Sequence, residues 1–165
     1  MAHFYPDIHI ARLKEVYSRL SREIIIECVP LAAEYSVTPE PVPYARRLEL
    51  PYGPIAVGAK WGGPWDCGWF HVTGELPAAW KGAYVTLNLD FTGEALVYDA
   101  EGCPLVGLTS GSVFDGAYNK DMMHYSKSCK GGERVDLWVE TGANGLFGLT
   151  LPGDPAWAER PEDVH

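Results

Sequence analysis

At 165 residues the chain is long enough for one domain that buries roughly two-thirds of the surface its unfolded form exposes, so a single core needs no disulfide staples. A formal net charge of −9, with acidic residues spread along the chain and no basic stripe, disfavours nucleic acid and acidic membrane surfaces as partners. Thirteen prolines and eighteen glycines demand many turns and exclude an all-helical bundle.

The longest apolar runs, such as 24–26, fall far short of a spanning helix, and the N-terminus lacks the basic-then-apolar order of a secretion signal. The expectation is a cytoplasmic chain. Cys28, Cys67, Cys103 and Cys129 form no CxxC pairs, which fits free thiols in a reducing compartment better than a structural zinc.

Pro6-Asp7 predicts a helix start, with Asp7 accepting bonds from orphan amides, and Leu13, Val16, Tyr17 and Leu20 follow at helical spacing. One short amphipathic helix results, carrying Glu15 and Arg19 four apart on its surface. Residues 24–29 read equally as helix or strand. Between 29 and 54 stand six prolines, with Pro39, Pro41 and Pro43 at alternate positions, which predicts an extended connector wrapping the domain.

Residues 59–71 read AKWGGPWDCGWFH. Trp61, Trp65 and Trp69 recur every four positions, but Gly62-Gly63-Pro64 between them breaks a helix, so they belong to a loop running into a strand. In that strand Phe70 and Val72 share the core face, while Trp69, His71 and Thr73 share the other. An indole serves to plug a sandwich end or to stack on a sugar, since it couples a large apolar face to one N–H donor, and for Trp61 and Trp65 plugging is the expectation over sugar contact.

Val85, Leu87, Leu89 and Phe91 alternate with polar neighbours as a half-buried strand, Thr92-Gly93 turns the chain, and 94–99 and 105–108 follow as returning strands of a meander. Gly131-Gly132 precedes a strand over 134–141 whose Val135, Leu137 and Val139 face inward. Trp138 lies on the opposite face, where it either meets a second layer or forms an aromatic platform. Short strands with glycine-rich turns point to a mainly β, antiparallel β-sandwich with a short N-terminal helix.

The blocks KWGGPWDCGWF, PAAWKG, VTLNLDF, TGEALVYDAEGCPLVGL and VETGANGLFG resemble, in order and spacing, the N-terminal non-catalytic domain of the family thirty-eight α-mannosidases, particularly their cytosolic and bacterial branch. The resemblance covers residues 50–148. It implies a jelly-roll, galactose-binding-like sandwich that precedes a much larger catalytic barrel, which would make this chain a fragment or an excised domain. It also implies that the nucleophilic aspartate and a zinc, bound from a His-x-Asp motif onward, belong to that barrel. No His-x-Asp occurs here, because His3, His9, His71 and His124 are followed two positions later by Tyr5, Ala11, Thr73 and Ser126. The expectation is therefore no catalytic residue, no metal and no cofactor in this chain.

Three domain segments follow: 1–48 as the helix and connector packing on the domain, 49–151 as the sandwich, and 152–165 as a C-terminal linker. Residues 149–151 are short for a closing strand, which would leave an open sheet edge. Retaining glycoside hydrolysis needs two carboxyl groups about 5 to 5.5 Å apart, and Glu94 and Glu140 are the most tempting pair because they sit in β blocks that resemble the family, although the resemblance places the nucleophile in the barrel. Asp121 and His124, with Ser126 and Ser128 nearby, read as a polar rim, because no nucleophile elbow accompanies them. The contact residues, for carbohydrate or for another domain, are Trp61, Trp65, Asp66 and Trp138, with Asn119 and Trp157 as further candidates. The expected partner is the catalytic domain of a parent α-mannosidase; a homo-oligomer and a mannose-containing glycan are the others. A stand-alone carbohydrate-binding module using exposed tryptophans is the alternative.

Overall fold

The computed structural model describes residues 5–63, 65–91, 93–109 and 120–143. By contact density the chain divides into Met1–Pro30 and Leu31–His165. The first unit holds α1 (Pro6–Glu23). Tyr5, not Asp7, occupies the N-cap position without a side-chain cap bond; Pro6 takes the first helical position, where its missing N–H costs nothing, and Asp7 serves the first turn through its charge. Arg19 pairs with Glu23 across one turn (Nε to Oε1, 3.1 Å) rather than with Glu15. Residues 25–30 are neither helix nor strand.

The second unit contains β1 (Ala32–Thr38), β2 (Gly53–Ile55), β3 (Cys67–Glu75), β4 (Val85–Asn88), β5 (Glu94–Tyr98), β6 (Pro104–Thr109), β7 (Met122–Ser126) and β8 (Arg134–Gly142). A six-stranded sheet runs β2-β1-β3-β8-β5-β6, and β4 pairs with β7 in a two-stranded sheet; every pairing is antiparallel. One apolar cluster joins the two: Phe70, Val72, Val97, Leu108, Val135, Leu137 and Val139 from the large sheet, with Val85, Leu87, Leu89 and Met123 from the small one. The expected mainly β antiparallel class is the class observed.

Two connections differ from expectation. β4 does not fold back on β5 but crosses to the opposite sheet, its ladder with β7 prolonged by the bond from the Leu89 amide to the Asp121 carbonyl (2.7 Å). A two-residue turn after Phe91 suits a hairpin locally, yet pairing β4 with β5 would place its apolar face beside the large sheet instead of over it. Only β5 and β6 form the expected hairpin, closed by Asp99, whose carboxylate accepts the Cys103 amide at 2.8 Å.

The connector is the second difference. Its first part is β1, paired along its length with β3 from Ala32↔Thr73 to Thr38↔Cys67, so the compact unit begins at Leu31 and not at residue 49. The signal was present in Ala33, Tyr35 and Val37, which alternate with Glu34 and Ser36 and pack toward the core. Proline density beyond Thr38 hid it, because Pro39, Pro41 and Pro43 terminate the strand without forbidding it. The segment over 149–165 lies outside the described residues.

Candidate functional site

The outer face of the large sheet carries Trp69 on β3, Glu140 and Trp138 on β8, and Tyr98 on β5, with His71 opposite Trp138 and Trp138 opposite Tyr98. Left in water, this face would be the aromatic platform a sugar needs. It is covered by the chain after β1. The Val42 carbonyl accepts the Trp69 indole N–H at 2.8 Å, and the 3₁₀ helix Tyr44–Glu49 lays Tyr44 against Trp69 and Tyr98 with ring centroids 5.8 and 5.0 Å apart.

Arg47 completes the cover. Its guanidinium carbon sits 3.7 Å from the Tyr44 ring centroid and 4.4 Å from that of Trp138, a cation held between two π faces. Tyr52 meets Trp138 edge-on at 5.6 Å and donates its hydroxyl to the Arg47 carbonyl at 3.0 Å. His71 stacks flat on Trp138 at 4.1 Å and is held by Asp136 (Nε2 to Oδ1, 2.9 Å). Trp138 therefore meets a second layer, and that layer is the chain's own connector.

Burial pushes the Tyr52 hydroxyl up to about 12, with the Arg47 charge acting the other way. An unfolded tyrosine ionises near 10, so the stability contributed by neutral Tyr52 is whole below pH 10 and is lost as pH rises through about 12. Burial raises Tyr98 and Tyr125 in the same direction. Denaturation midpoints should fall steeply between pH 10 and 12, and Tyr52→Phe should flatten part of that fall. An unchanged slope in the variant would show that Tyr52 is solvated.

The opening aromatic loop divides. Trp61 is buried, edge-on to Phe70 at 5.2 Å, with its N–H donated to the Phe91 carbonyl at 3.1 Å. Its ring lies where a side chain on Gly68 would stand, a Cβ there falling 2.8 Å from the indole. Trp61 and Trp138 thus leave the set of contact residues: each is core, and neither offers an open ring. Trp65 is 50% exposed, at φ 73°, and is held in place by its amide bond to the Ala143 carbonyl. Asp66 accepts the Gly63 amide at 2.7 Å, so its carboxylate shapes the loop. Asn119 and Trp157 lie outside the described residues.

Near that loop a groove of about 420 Å³ is lined by Pro41, Cys67, Glu94, Glu140 and Thr141 among others. Register brings the two tempting carboxylates together: Glu140 lies opposite Leu96 and Glu94 opposite Gly142, which makes them diagonal neighbours on one face. Glu140 accepts the Tyr98 hydroxyl at 3.0 Å. Burial first, then the negative charges of Glu140, Glu40 and Asp66, push the Cys67 thiol up, so the groove holds no activated thiolate. On β7, His124 packs against Tyr84 at 4.9 Å, while the Ser126 hydroxyl accepts the Ser128 amide at 3.3 Å. Among the described residues no cluster of three or more His, Cys, Asp or Glu side chains is placed to hold a metal. No described helix is long and apolar enough to cross a membrane.

The sequence pattern of a known domain family, described as alpha-mannosidase, jelly roll domain, matches residues 29–161. The chain belongs to this α-mannosidase jelly-roll family. Alpha-mannosidase 2C1 of Homo sapiens is 34% identical over 116 residues, covering 68% of this chain and 10% of that protein. The Mus musculus counterpart is 31% identical over 112 residues, and Alpha-mannosidase G of Dictyostelium discoideum 28% over 150, covering 91% of this chain and 13% of that protein. The jelly-roll chain thus spans about a tenth of the length of these relatives.

Sequence reasoning missed Tyr44, Arg47 and Tyr52, the residues that decide what the jelly roll does with its outer aromatic face. Their signal was faint: an aromatic and an arginine at i, i+3 inside a proline-rich stretch give no period from which to infer burial.

Proposed function

We propose that this chain is a non-catalytic jelly-roll domain of a cytoplasmic α-mannosidase, and that it serves as a rigid body against which the catalytic domain packs. The observation that carries the reading is the use of the aromatic residues. Trp61, Trp69 and Trp138 are committed to internal packing, the carboxylates of the groove stand beside a thiol that burial and negative charge push up, and family membership supplies the hydrolase context. The contact face is the mouth between β6 and β7, about 460 Å³ lined by Leu105, Met122 and His124 among others, with Leu105 and Met122 each 46% exposed. Exposed apolar side chains that cluster are a contact surface by default.

Two measurements test this. The isolated chain should not turn over an aryl α-mannoside; turnover that survives purification would overturn the non-catalytic assignment. In the full-length parent enzyme, Leu105→Asp with Met122→Asp should release this domain to limited proteolysis and lower thermal stability, whereas wild-type protease resistance in the variant would remove the proposed contact face.

The half-exposed Trp65 supports a second reading, a carbohydrate-binding surface with Asp66 beside the groove. Saturable quenching of tryptophan fluorescence by manno-oligosaccharides, abolished in Trp65→Ala, would favour it; a flat titration through the millimolar range would reject it.

A further inference from the structure

Residues 39–52, the cover of the outer aromatic face, leave the sheet at the end of β1 and rejoin it at β2. Those two strands pair with each other, Tyr35 opposite Gly53, so the loop begins and ends at neighbouring points of one hairpin. A loop closed in this way lifts off a surface without dragging a strand along.

Its hydrogen bonds point inward. The Arg46 amide donates to the Pro43 carbonyl at 2.9 Å, the Leu50 amide to the Arg47 carbonyl at 3.2 Å, Arg47 Nη1 to the Tyr44 carbonyl at 3.0 Å and the Tyr52 hydroxyl to the Arg47 carbonyl at 3.0 Å, while Arg46 pairs with Glu49. Each of these begins and ends inside the loop. The firm tie to the sheet is the bond from the Trp69 indole to the Val42 carbonyl at 2.8 Å. The Tyr44 hydroxyl stands 3.4 and 3.3 Å from the Asp99 and Ala100 carbonyls, beyond the roughly 2.5–3.0 Å of a good O–H···O bond. Among the described residues no ion pair joins the loop to the sheet. Ring contacts of Tyr44, Arg47 and Tyr52 with Trp69, Tyr98 and Trp138 supply the rest of the hold.

Lifting the loop breaks no rung of the sheet beneath it, because β3, β8 and β5 are bonded to one another. It also returns Arg47 to water. That residue is 9% exposed and its buried Nε has no acceptor, so opening restores the hydration of a charged group. Few directional bonds are lost and one desolvated cation is relieved, which places this opening well below global unfolding in free energy.

We infer that residues 39–52 are a lid: they open as one unit while both sheets stay paired, and they uncover Trp69, Tyr98 and Trp138 together. The closed loop is thus an autoinhibitory contact that withholds an aromatic platform from solvent. This goes beyond the docking face between β6 and β7 and beyond the Trp65 surface, neither of which uses the outer face of the large sheet, and its test reads neither docking nor mannosidase activity.

Native-state hydrogen exchange of the 165-residue chain, followed by nuclear magnetic resonance at low urea concentrations, tests it. Two protons report on the lid: the Trp69 indole N–H, whose acceptor is the loop's own carbonyl, and the Leu50 amide, bonded inside a 3₁₀ turn too short to persist once detached. The Val72 and Leu137 amides, on the two central strands, report on the sandwich. The two lid protons should share one protection factor, at least about a hundredfold below that of Val72 and Leu137, with a shallow dependence on urea. Leu87→Ala, on the small sheet and across the core from the lid, destabilises the closed and lid-open forms alike. It should lower protection at Val72 and Leu137 by roughly thirtyfold or more and leave the lid protons unchanged. A Trp69 indole as protected as Val72, or one that follows Val72 in the variant, would show that the loop opens only when the sandwich unfolds and would overturn the inference. So would different urea slopes for the Trp69 and Leu50 protons in wild type, which would mean that the segment frays piecemeal.

Discussion

Trp69→Ala should cost the jelly roll about 3–5 kcal/mol, the range for removing a fully buried large aromatic. Trp69 is 2% exposed and lies between the sheet and its cover, in contact with Tyr44 and Tyr98. Truncation opens a cavity on the outer face and leaves the Val42 carbonyl without its indole donor. For a domain whose whole stability is typically ~5–15 kcal/mol, that is a fifth or more, or roughly 10 °C in melting temperature. Trp69→Phe isolates the hydrogen bond, since it keeps a ring in place and removes the N–H; about 1–3 kcal/mol should be lost. Trp65→Ala is the control and should stay within about 1 kcal/mol, because that ring is already half in water. Urea denaturation of the three variants checks the set. Equal losses at positions 65 and 69 would contradict the proposed division between core and surface tryptophans.

Gly131→Ala should be far more damaging than its neighbour's equivalent, at about 2–4 kcal/mol, while Gly132→Ala should cost only about 1 kcal/mol. Both glycines have positive φ, 79° and 74°, so backbone strain alone does not separate them. Space does. A Cβ on Gly131 would lie 2.6 Å from the Ala78 carbonyl oxygen, a backbone atom that cannot swing aside, whereas one on Gly132 meets nothing nearer than the Glu75 carboxylate at 3.8 Å. The turn at Gly131 is fixed on both sides: the Gly82 amide donates to the Cys129 carbonyl at 2.7 Å, and the Gly132 amide to the Leu76 carbonyl at 3.0 Å. Moving the backbone to make room would break these bonds at the entry to β8, one of the two central strands of the large sheet. Equal midpoints for the two variants would mean that this close approach is not maintained in solution.

The buried arginine bears on how the cover is held. The Arg47 guanidinium is not satisfied evenly: Nη1 donates to the Tyr44 carbonyl at 3.0 Å, while Nε is buried with no hydrogen-bond partner. The two π faces supply the compensation that a carboxylate would normally give. The cover is therefore bound by stacking and burial more than by ion pairing, and it is expected to respond to alkali, through Tyr52, more than to salt.

What the sequence by itself determined was everything that rests on period and composition: the amphipathic helix, the inward faces of β3, β4 and β8, the β5–β6 hairpin, and the antiparallel class. Period-2 alternation reports which residues leave water, and that is a local property of the chain. The five resembling blocks also located the family without any contact being known. Tertiary structure alone decided the rest. Whether β4 turns back on β5 or crosses to β7 depends on which apolar face needs a lid, and nothing within 85–99 encodes that. Whether Trp138 is a platform or a buried layer depends on Tyr44, Arg47 and Tyr52, some ninety residues earlier in the chain. Trp61 and Trp65 stand in one short loop with the same side chain, yet one fills the core and the other faces solvent. The physical reason is common to all three cases: burial is a property of what covers a residue, and the covering residues are distant in sequence.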